Sequence, residues 1–386
     1  MLVQIHMIQN HAPSNLNRDD TGSPKEAVFG GTNRARISSQ CLKRSIRQSE
    51  VFRESMGEGD YLGVRTRRMP LKLAAVLKDR GVPEDVAEAI MRKATIFGRG
   101  KDKDKDQESE GGMKRRSKEG EDGMTRQLIF LGKDELAGLA DQLLELYESG
   151  PEEFAKMKQD ELEKRVKSAL PRSVDIALFG RMTTSATFED VQASAQVAHA
   201  ISTTRVEHQF DYFTAVDDLK TEADDDRGAG MISDVEFNSA TYYKYFAVDF
   251  SALTENLGGD VETARRSVVA FLRAAALATP TGKQNTFAAH NPPDAILIEV
   301  SASHIPVNYA NAFVDPVRAA AGVDVVKTSV QRLSEYSEEV NRAYGLVRER
   351  AALTTRGMAI EGAESIGTLE ALTEWMSAKL AGASQA

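Results

Sequence analysis

One stretch organises the predicted fold of this chain: Phe29-Gly30-Gly31-Thr32-Asn33-Arg34-Ala35-Arg36-Ile37-Ser38-Ser39-Gln40-Cys41-Leu42-Lys43-Arg44-Ser45-Ile46-Arg47. Its paired glycines, Gly30 and Gly31, tolerate positive φ angles and predict a tight turn. Residues 34–37 then extend as a short predicted strand. Ser38 and Ser39 are favoured helix N-cap residues, and the residues after them have helical periodicity, so we predict that a helix begins here.

The predicted helix is amphipathic, and its outer face is basic. On a helical wheel Leu42 and Ile46 fall on one side, whereas a lysine and two arginines fall on the other. The positive end of the helix dipole adds to this charge, and the combination suits a phosphate backbone. The alternative is a helix whose charged face is only solvated. The candidate nucleic-acid-binding residues of this stretch are Arg34, Arg36, Ser38, Ser39, Gln40, Lys43, Arg44 and Arg47.

Composition limits the class of protein. The chain has 386 residues and 41% hydrophobic content, which suffices for two or three domains or for one domain with large insertions. Its net charge of −9 argues against coating nucleic acid with the whole surface, but not against a basic groove on an acidic body. The single cysteine, Cys41, excludes an internal disulfide and a thiolate zinc site. The N-terminus lacks a signal-peptide pattern and no apolar run reaches the ~20 residues of a membrane helix, so we expect a cytoplasmic protein.

Strand and helix patterns follow each other in the order of an α+β fold. The alternation of Val3, Ile5 and Met7 with polar residues predicts a first strand, followed by a long polar loop and the basic helix. This order fits the start of a ferredoxin-like (RRM-like) unit. Further strands are predicted at 174–204, 235–250 and 295–300, helices at 39–52 and 261–278, and a mostly helical region at 326–386.

Two segments interrupt this predicted domain. Residues 57–172 carry helical patterns, two of them split at Gly81-Val82-Pro83, and indicate a helical insertion. Within it the charged tract 99–123 has too little apolar area to pack and is predicted to be disordered. Residues 203–234 combine aromatic side chains with a glycine-containing tip and predict a β-hairpin arm.

Several ordered blocks of the sequence resemble the CasC family, the backbone subunits of the type I-E CRISPR surveillance complex Cascade. The blocks are Ser14–Asp20, Phe29–Arg47, Val174–Met182, Ala198–Thr204, Phe213–Leu219 and Gly282–Ala289. The resemblance implies a ferredoxin-like palm with a helical fingers insertion and a β-hairpin thumb. Its parts would be palm at 1–56, 173–202 and 235–325, fingers at 57–172, thumb at 203–234 and a C-terminal helical region at 326–386.

The same resemblance implies a non-catalytic scaffold that binds CRISPR guide RNA and needs no cofactor. Copies would assemble head to tail along one guide, together with other Cascade subunits, and would reach target DNA only through the guide. In this family the thumb folds over the RNA and kinks it. The residues that match its wedge are Met182, Phe213 and Val216, and the residues that would line the same groove include Arg18, Lys283 and Gln284.

Other functions compete with this interpretation. The main one is a metal-dependent ribonuclease that cuts target RNA through Asp19 or Asp20, as related type III backbone subunits do with an aspartate. A monomeric RRM-like single-strand binder is a third. The six histidines form no HExxH motif, and Gly282-Lys283 lacks the spacing of a phosphate loop, so we predict neither a metal nor a nucleotide cofactor. A hypothesis supported by charge alone places target or non-target DNA on Arg65, Arg67 and Arg68.

Overall fold

The computed structural model describes residues 1–57, 61–97, 123–167, 173–183, 185–215 and 231–382. The chain divides into two compact units. The first unit comprises Met1–Gly57, Gln196–Phe250 and Arg265–Ala386, and the second comprises Glu58–Ala195 and Ser251–Ala264. Most of the charged tract 99–123, all but Gly123, lies outside the described residues, as do residues 216–230 of the predicted arm.

The described strands are numbered along the chain. They are β1 (Leu2–Ser14), β2 (Glu26–Phe29), β3 (Thr32–Ile37), β4 (Val64–Thr66), β5 (Ile129–Leu131), β6 (Ala195–Val197), β7 (Ala200–Ser202), β8 (Gln209–Ala215), β9 (Met231–Asp249), β10 (Ala295–Ser301), β11 (Glu349–Thr354) and β12 (Glu364–Ser365).

The described helices are numbered in the same way. They are α1 (Ser39–Gln48), α2 (Glu50–Met56), α3 (Met69–Asp79), α4 (Glu84–Ala94), α5 (Lys133–Ser149), α6 (Pro151–Lys156), α7 (Gln159–Arg165), α8 (Val174–Phe179), α9 (Phe250–Asn256), α10 (Val261–Leu277), α11 (Gln284–Phe287), α12 (Val325–Tyr344) and α13 (Leu369–Gly382), with a 3₁₀ helix at Tyr309–Phe313. None of them, within the described ranges, is both long and apolar enough to cross a membrane.

A large mixed sheet forms the centre of the first unit. Its strand order is β12-β11-β10-β1-β9-β7-β3-β2, and only β11 and β12 in this path pair in parallel. Strand β1 is central because it pairs antiparallel with both β10 and β9, so that Met7 lies between Ile296 and Lys244. The predicted mixture of a sheet with packed helices is confirmed. The finer ferredoxin-like arrangement stays a prediction.

The two faces of this sheet bury different side chains. Val3, Ile5 and Met7 share one face, and on it the ring of Phe246 packs edge-on against Phe271 of α10 at 5.6 Å. The opposite face buries apolar residues of β1, β9 and β10 against α12 and the 3₁₀ helix. Both faces are therefore covered by packed side chains, which explains why β1 is buried along almost its whole length.

The second unit contains a helical core of its own. Helices α3, α4 and α5 pack around Leu73, Leu77, Ile90 and Leu139. Helix α3 ends at Asp79 and α4 begins at Glu84, so the predicted break at Gly81-Val82-Pro83 is confirmed. Later in this unit two short helices, α6 and α7, follow α5 and are separated by extended backbone at Met157 and Lys158.

One predicted strand is a helix. Val174–Met182 was expected to be a strand, but α8 occupies its first six residues and ends at Gly180, whose φ is +78°. A short apolar run fits a buried helix as well as a strand, and here the helix is buried on all sides. The region 326–386, predicted to be mostly helical, contains α12 and α13 and also β11, which extends the large sheet through β10.

Candidate nucleic-acid interface

The predicted turn, strand and helix at 29–47 all form. Gly30 and Gly31 have φ angles of +59° and +75°. A Cβ atom on Gly30 would lie 1.8 Å from the Val314 carbonyl oxygen, so only glycine fits there. Ser38 is the N-cap of α1, and its hydroxyl accepts a hydrogen bond from the Cys41 amide.

The amides at the start of α1 are less available than the sequence suggested. Ser38 donates its backbone N–H to the Asn17 side chain at 2.8 Å. Ser39 donates its N–H to Nδ1 of His199 at 3.4 Å. Burial, with the charges of Arg36 and Lys25, lowers the pKa of His199, so this ring stays neutral and accepts. The helix end therefore contributes mainly its dipole and its side chains to any anion site.

Arg34 does not belong to the interface. It is fully buried, and its guanidinium donates to the carbonyl oxygens of Ser202, Thr203, Phe313 and Val314 at 2.7–3.1 Å. Every one of these acceptors is a backbone group, so the side chain fastens β3 to its neighbours. The expected contact of Arg34 with a phosphate is corrected accordingly: a guanidinium with its donors used inside the protein cannot reach RNA.

A groove of about 960 Å³ lies in the first unit beside α1. Three stretches that are distant in sequence line it: the loop 16–22, the outer face of α1 and α2, and residues 277–282 with His290. Arg18 and Arg44 are both exposed along it. Gly282 makes the close approach possible, because a Cβ there would lie 2.5 Å from the Leu16 carbonyl oxygen.

The other predicted residues of α1 differ in exposure. Gln40 is exposed like Arg44, whereas Lys43 and Arg47 are half-buried. Burial lowers the pKa of the Lys43 ammonium. Arg36 is half-buried, and its Nε donates to the Glu26 carbonyl at 3.0 Å, so only part of its guanidinium faces a second groove with Lys25.

The loop that carries Arg18 has a fixed shape. The buried Asn15 amide donates to the carbonyl oxygens of Gly22 and Glu236 at 3.0 and 2.9 Å. One carboxylate oxygen of Asp19 accepts from the Thr21 hydroxyl, the Thr21 amide and the Ser23 amide at 2.7–3.0 Å. These bonds, the hydroxyl one first, lower the pKa of Asp19. This carboxylate therefore closes a turn.

The second predicted loop, at Lys283 and Gln284, is tightly wound. Lys283 and Ala288 have left-handed φ angles of 51° and 47° at the two ends of α11. Such angles are uncommon outside glycine and cost energy, so the surrounding contacts hold this single turn in place. The Gln284 amide donates to the Pro280 carbonyl at 2.9 Å, and helix α11 packs on β1.

The predicted hairpin arm has two paired strands. Strands β8 and β9 pair antiparallel, with Phe213 opposite Ser233. Phe213 is 40% exposed, while Val216 lies outside the described residues. Phe210 and Tyr212, which share the other side of β8, are 64% and 65% exposed. Exposed aromatic rings on a strand are the surfaces that stack on nucleic-acid bases.

The root of this hairpin is tied by His208. Its two ring nitrogens contact the carboxylates of Glu26 on β2 and Glu236 on β9. Partial burial alone would lower the pKa of His208, but the hydrogen bond to Glu236 and the charges of both carboxylates raise it overall.

Met182 belongs to the second unit. It is 94% exposed, while the adjacent Arg181 is buried and pairs with Glu135 at 2.8 Å. Met182, Leu128 and Arg65 line a recess of about 180 Å³, in which the Arg65 guanidinium lies 5.1 Å from the Phe130 ring centroid. In the described parts of the chain, no group of three His, Cys, Asp or Glu residues is placed to hold a metal ion.

A family model described as CT1975-like protein matches residues 3–378. The chain belongs to the CT1975-like protein family. One similar structure is titled "CRISPR RNA-guided surveillance complex, pre-nicking"; it has 32% sequence identity and a TM-score of 0.79, and the match covers 98% of this chain and 100% of that chain. A second, titled "CRISPR RNA-guided surveillance complex", has 26% identity and a TM-score of 0.70 with the same coverage. A comparison with curated protein sequences gave no match.

These matches confirm the predicted resemblance to the Cascade backbone family. In this CT1975-like protein, sequence reasoning missed Phe210, Tyr212 and His208 as candidate site residues. The alternation of Phe210 and Tyr212 with polar residues was a usable signal for exposed rings on one side of a strand. His208 carried no local signal, because its contacts with Glu26 and Glu236 join distant parts of the chain.

Proposed function

We propose that this chain is a guide-RNA-binding backbone subunit of a Cascade-type complex. The observation that carries the proposal is the groove beside α1, where Arg18, Arg44 and the Gly282 loop come together from three parts of the sequence. The similar structures are titled as RNA-guided surveillance complexes, and this supports guide RNA as the ligand. We also propose that the first unit contains the ferredoxin-like palm, the second the fingers, and β8 and β9 the thumb.

The groove would bind phosphates without reading sequence. Arg18 and Arg44 are exposed cations on a wall whose loops are fixed by internal hydrogen bonds. Lys or Arg contacts to phosphate give affinity and register but no base preference. A guide of any sequence therefore fits the same groove, and target DNA is recognised by base pairing with the guide.

The hairpin would act on bases. Phe213, with Val216 and Met182 as further wedge residues, would displace bases at intervals and leave short segments free to pair. Copies would assemble head to tail, which gives an open filament whose length is set by the RNA and by other Cascade subunits. The chain would act without catalysis, and the engagement of the Asp19 carboxylate in its own turn gives this residue a structural role.

The decisive experiment isolates the complex after co-expression with a CRISPR array and the other subunits. The bound RNA is extracted and probed with a reagent that modifies unstacked bases. We expect one guide-length RNA with reactive bases at regular intervals, and loss of that periodicity in the double variant Phe213→Ala, Val216→Ala. RNA of random length without periodicity, or no RNA, contradicts the proposal.

A charge variant tests the groove separately. Arg44→Ala should weaken binding of unrelated RNA sequences about equally and reduce the slope of log affinity against log salt by about one. Arg342→Ala is the matched control, because Arg342 is an exposed arginine at the end of α12 and not in this groove. Equal losses for both variants would show that only net charge matters.

A further inference from the structure

A buried lysine lies at the end of the sheet face that approaches the groove. Lys244 is on β9 and is 1% exposed. It pairs with Met7 of β1, so the two side chains share the face that carries Phe246 and α10. This face is apolar along most of its length and changes to polar side chains only where Lys244, Gln9 and His11 lie.

No carboxylate in the described residues pairs with Lys244. The titratable groups that face it are Cys41 on α1 and His11 on β1. Burial lowers the pKa of Lys244 to about 8, so the ammonium stays mostly charged at pH 7. A buried charge without a counter-ion costs folding free energy, and proteins ordinarily avoid it.

The polar groups around it are also incompletely paired. One side-chain oxygen each of Gln9, Asn15 and Gln284 is buried without a hydrogen-bond partner. Gln284 is on α11, which packs on β1, and Asn15 begins the loop that lines the groove. Such unsatisfied groups cluster where a ligand or ordered water completes the site.

The position of Cys41 links this cluster to the groove. Cys41 lines the groove and is close enough to Lys244 for the ammonium charge to act on its thiol. The ammonium is therefore buried near Cys41, a residue of the groove wall, and low polarity around it strengthens its field. The other charges that act on Cys41 are Lys25 and Arg44, which are also positive.

We propose that Lys244 is a buried electrostatic anchor for RNA: the phosphate backbone held in the groove is the counter-ion that the folded chain does not provide. This inference rests on the proposed RNA-binding function and adds a residue to it. Lys244 positions the RNA from below, while Arg18 and Arg44 contact it from the walls. The absence of an internal partner then has a reason, since a paired lysine would attract phosphate far less.

The test measures RNA affinity against pH with the full-length chain and a short single-stranded RNA, by fluorescence anisotropy. For the wild type we expect affinity to fall about tenfold between pH 7 and pH 9.5, as Lys244 loses its proton. Lys244→Met should be about tenfold weaker at pH 7, without this step. Lys244→Arg should keep the affinity at pH 7 and remove the step, because a guanidinium stays charged.

The titration of Lys244 can be distinguished from that of neighbouring groups. Burial raises the pKa of Cys41, and Cys41→Ser removes its titration entirely. Burial lowers the pKa of His11 to about 3, so His11 stays neutral across the range. His290 in the groove and Lys43 on α1 are present in every variant, so the difference between wild type and Lys244→Arg reports Lys244 alone.

The possible outcomes distinguish failure of the Lys244 anchor from failure of the RNA-binding function. Unchanged affinity and pH profile in Lys244→Met overturn the anchor and leave the RNA-binding function standing. If Lys244→Met does not fold, a Lys244→Arg profile identical to the wild type overturns it equally. Failure of the wild type to bind RNA at any pH overturns the proposed function and the anchor together.

Discussion

The two faces of the central sheet both bury charge, but they treat it differently. On the face covered by α12, Glu299 contacts His6, Arg348 and Arg350 and accepts a hydrogen bond from the Tyr309 hydroxyl at 3.0 Å. On the other face Lys244 has no such partner in the described residues. A buried charge with ion-pair partners favours one arrangement of its neighbours. A buried charge without them remains available to attract a ligand of opposite charge.

Arg34 on β3 sharpens this contrast. It is as buried as Lys244, yet backbone carbonyls accept from both of its terminal nitrogens. Both cations are on strands of the large sheet, but only Lys244 is close to Cys41, which lines the groove. Because the two side chains are equally buried, position in the fold decides which cation has internal partners. The following predictions test it, beginning with the largest expected effect.

Removal of the charge at Glu299 should cost the most. Burial by itself would raise the pKa of Glu299, but the hydrogen bond from His6 and the nearby arginines lower it to about 2. Glu299→Gln leaves the buried Arg348 without its carboxylate and Arg350 with only the partly exposed Glu338, and we expect a loss of about 4 kcal/mol of unfolding free energy by urea denaturation at pH 7. Because the folded pKa is below the unfolded one, the wild type should lose this contribution as pH falls from about 4.5 to 2.

Glu338→Gln is the control for that result. Glu338 also pairs with Arg350, at 2.9 Å, but its side chain is 36% exposed. Water can replace this partner, so the loss should stay below about 1 kcal/mol. Equal losses at Glu338 and Glu299 would contradict the claim that buried compensation holds this face.

Loss of the Arg34 guanidinium should come next. Arg34→Met retains the apolar stem and strands four carbonyl oxygens, so we expect about 3 kcal/mol less stability by chemical denaturation. Arg36→Met is the control. Arg36 is two residues further along β3 and only half-buried, so its loss should lower the free energy of unfolding by less than about 1 kcal/mol. RNA affinity per folded molecule should be unaffected in Arg34→Met, and a selective loss of affinity would restore Arg34 to the interface.

Lys244→Met should change stability in the opposite direction. The pKa of Lys244 is about 8 when folded and about 10.5 when unfolded, so its charge destabilises the fold fully below pH 8. We expect the RNA-free variant to gain up to about 3 kcal/mol at pH 7 by thermal or urea unfolding. The gain should shrink as pH rises from 8 to 10.5. A variant less stable than wild type at pH 7 would place Lys244 with the compensated charges.

The smallest effect concerns the hairpin root. The pKa of His208 is raised, so the stability that protonated His208 gives should be present at pH 6 and lost as pH rises through its folded pKa. Between pH 6 and 8.5 the exchange rate of the β8 amides should rise by more than the pH dependence of intrinsic amide exchange accounts for. His208→Gln should remove this excess. If this additional rise in exchange rate persists in His208→Gln, a titrating group other than His208 causes it.

The sequence predicted what local chemistry controls. The glycine turn, the Ser38 cap, the basic face of α1 and the split at Gly81-Val82-Pro83 depend on residues within a few positions of each other, and the structure contains all four. The error at Val174 has a local reason too, because a short run of mostly apolar residues fits a buried helix or strand equally well.

Tertiary structure alone decided which charges face the groove. Within 29–47, Arg34 and Arg44 have the same side chain and similar basic neighbours, yet the first is buried among carbonyls and the second is exposed. The carbonyls come from β7 and from the end of the 3₁₀ helix, more than a hundred residues away. Lys244 is defined likewise, by Cys41 and His11 from other elements. The sequence by itself determined the family, the elements and the basic helix; only packing fixed which cations have partners, because partners of a buried charge arrive through long-range contacts.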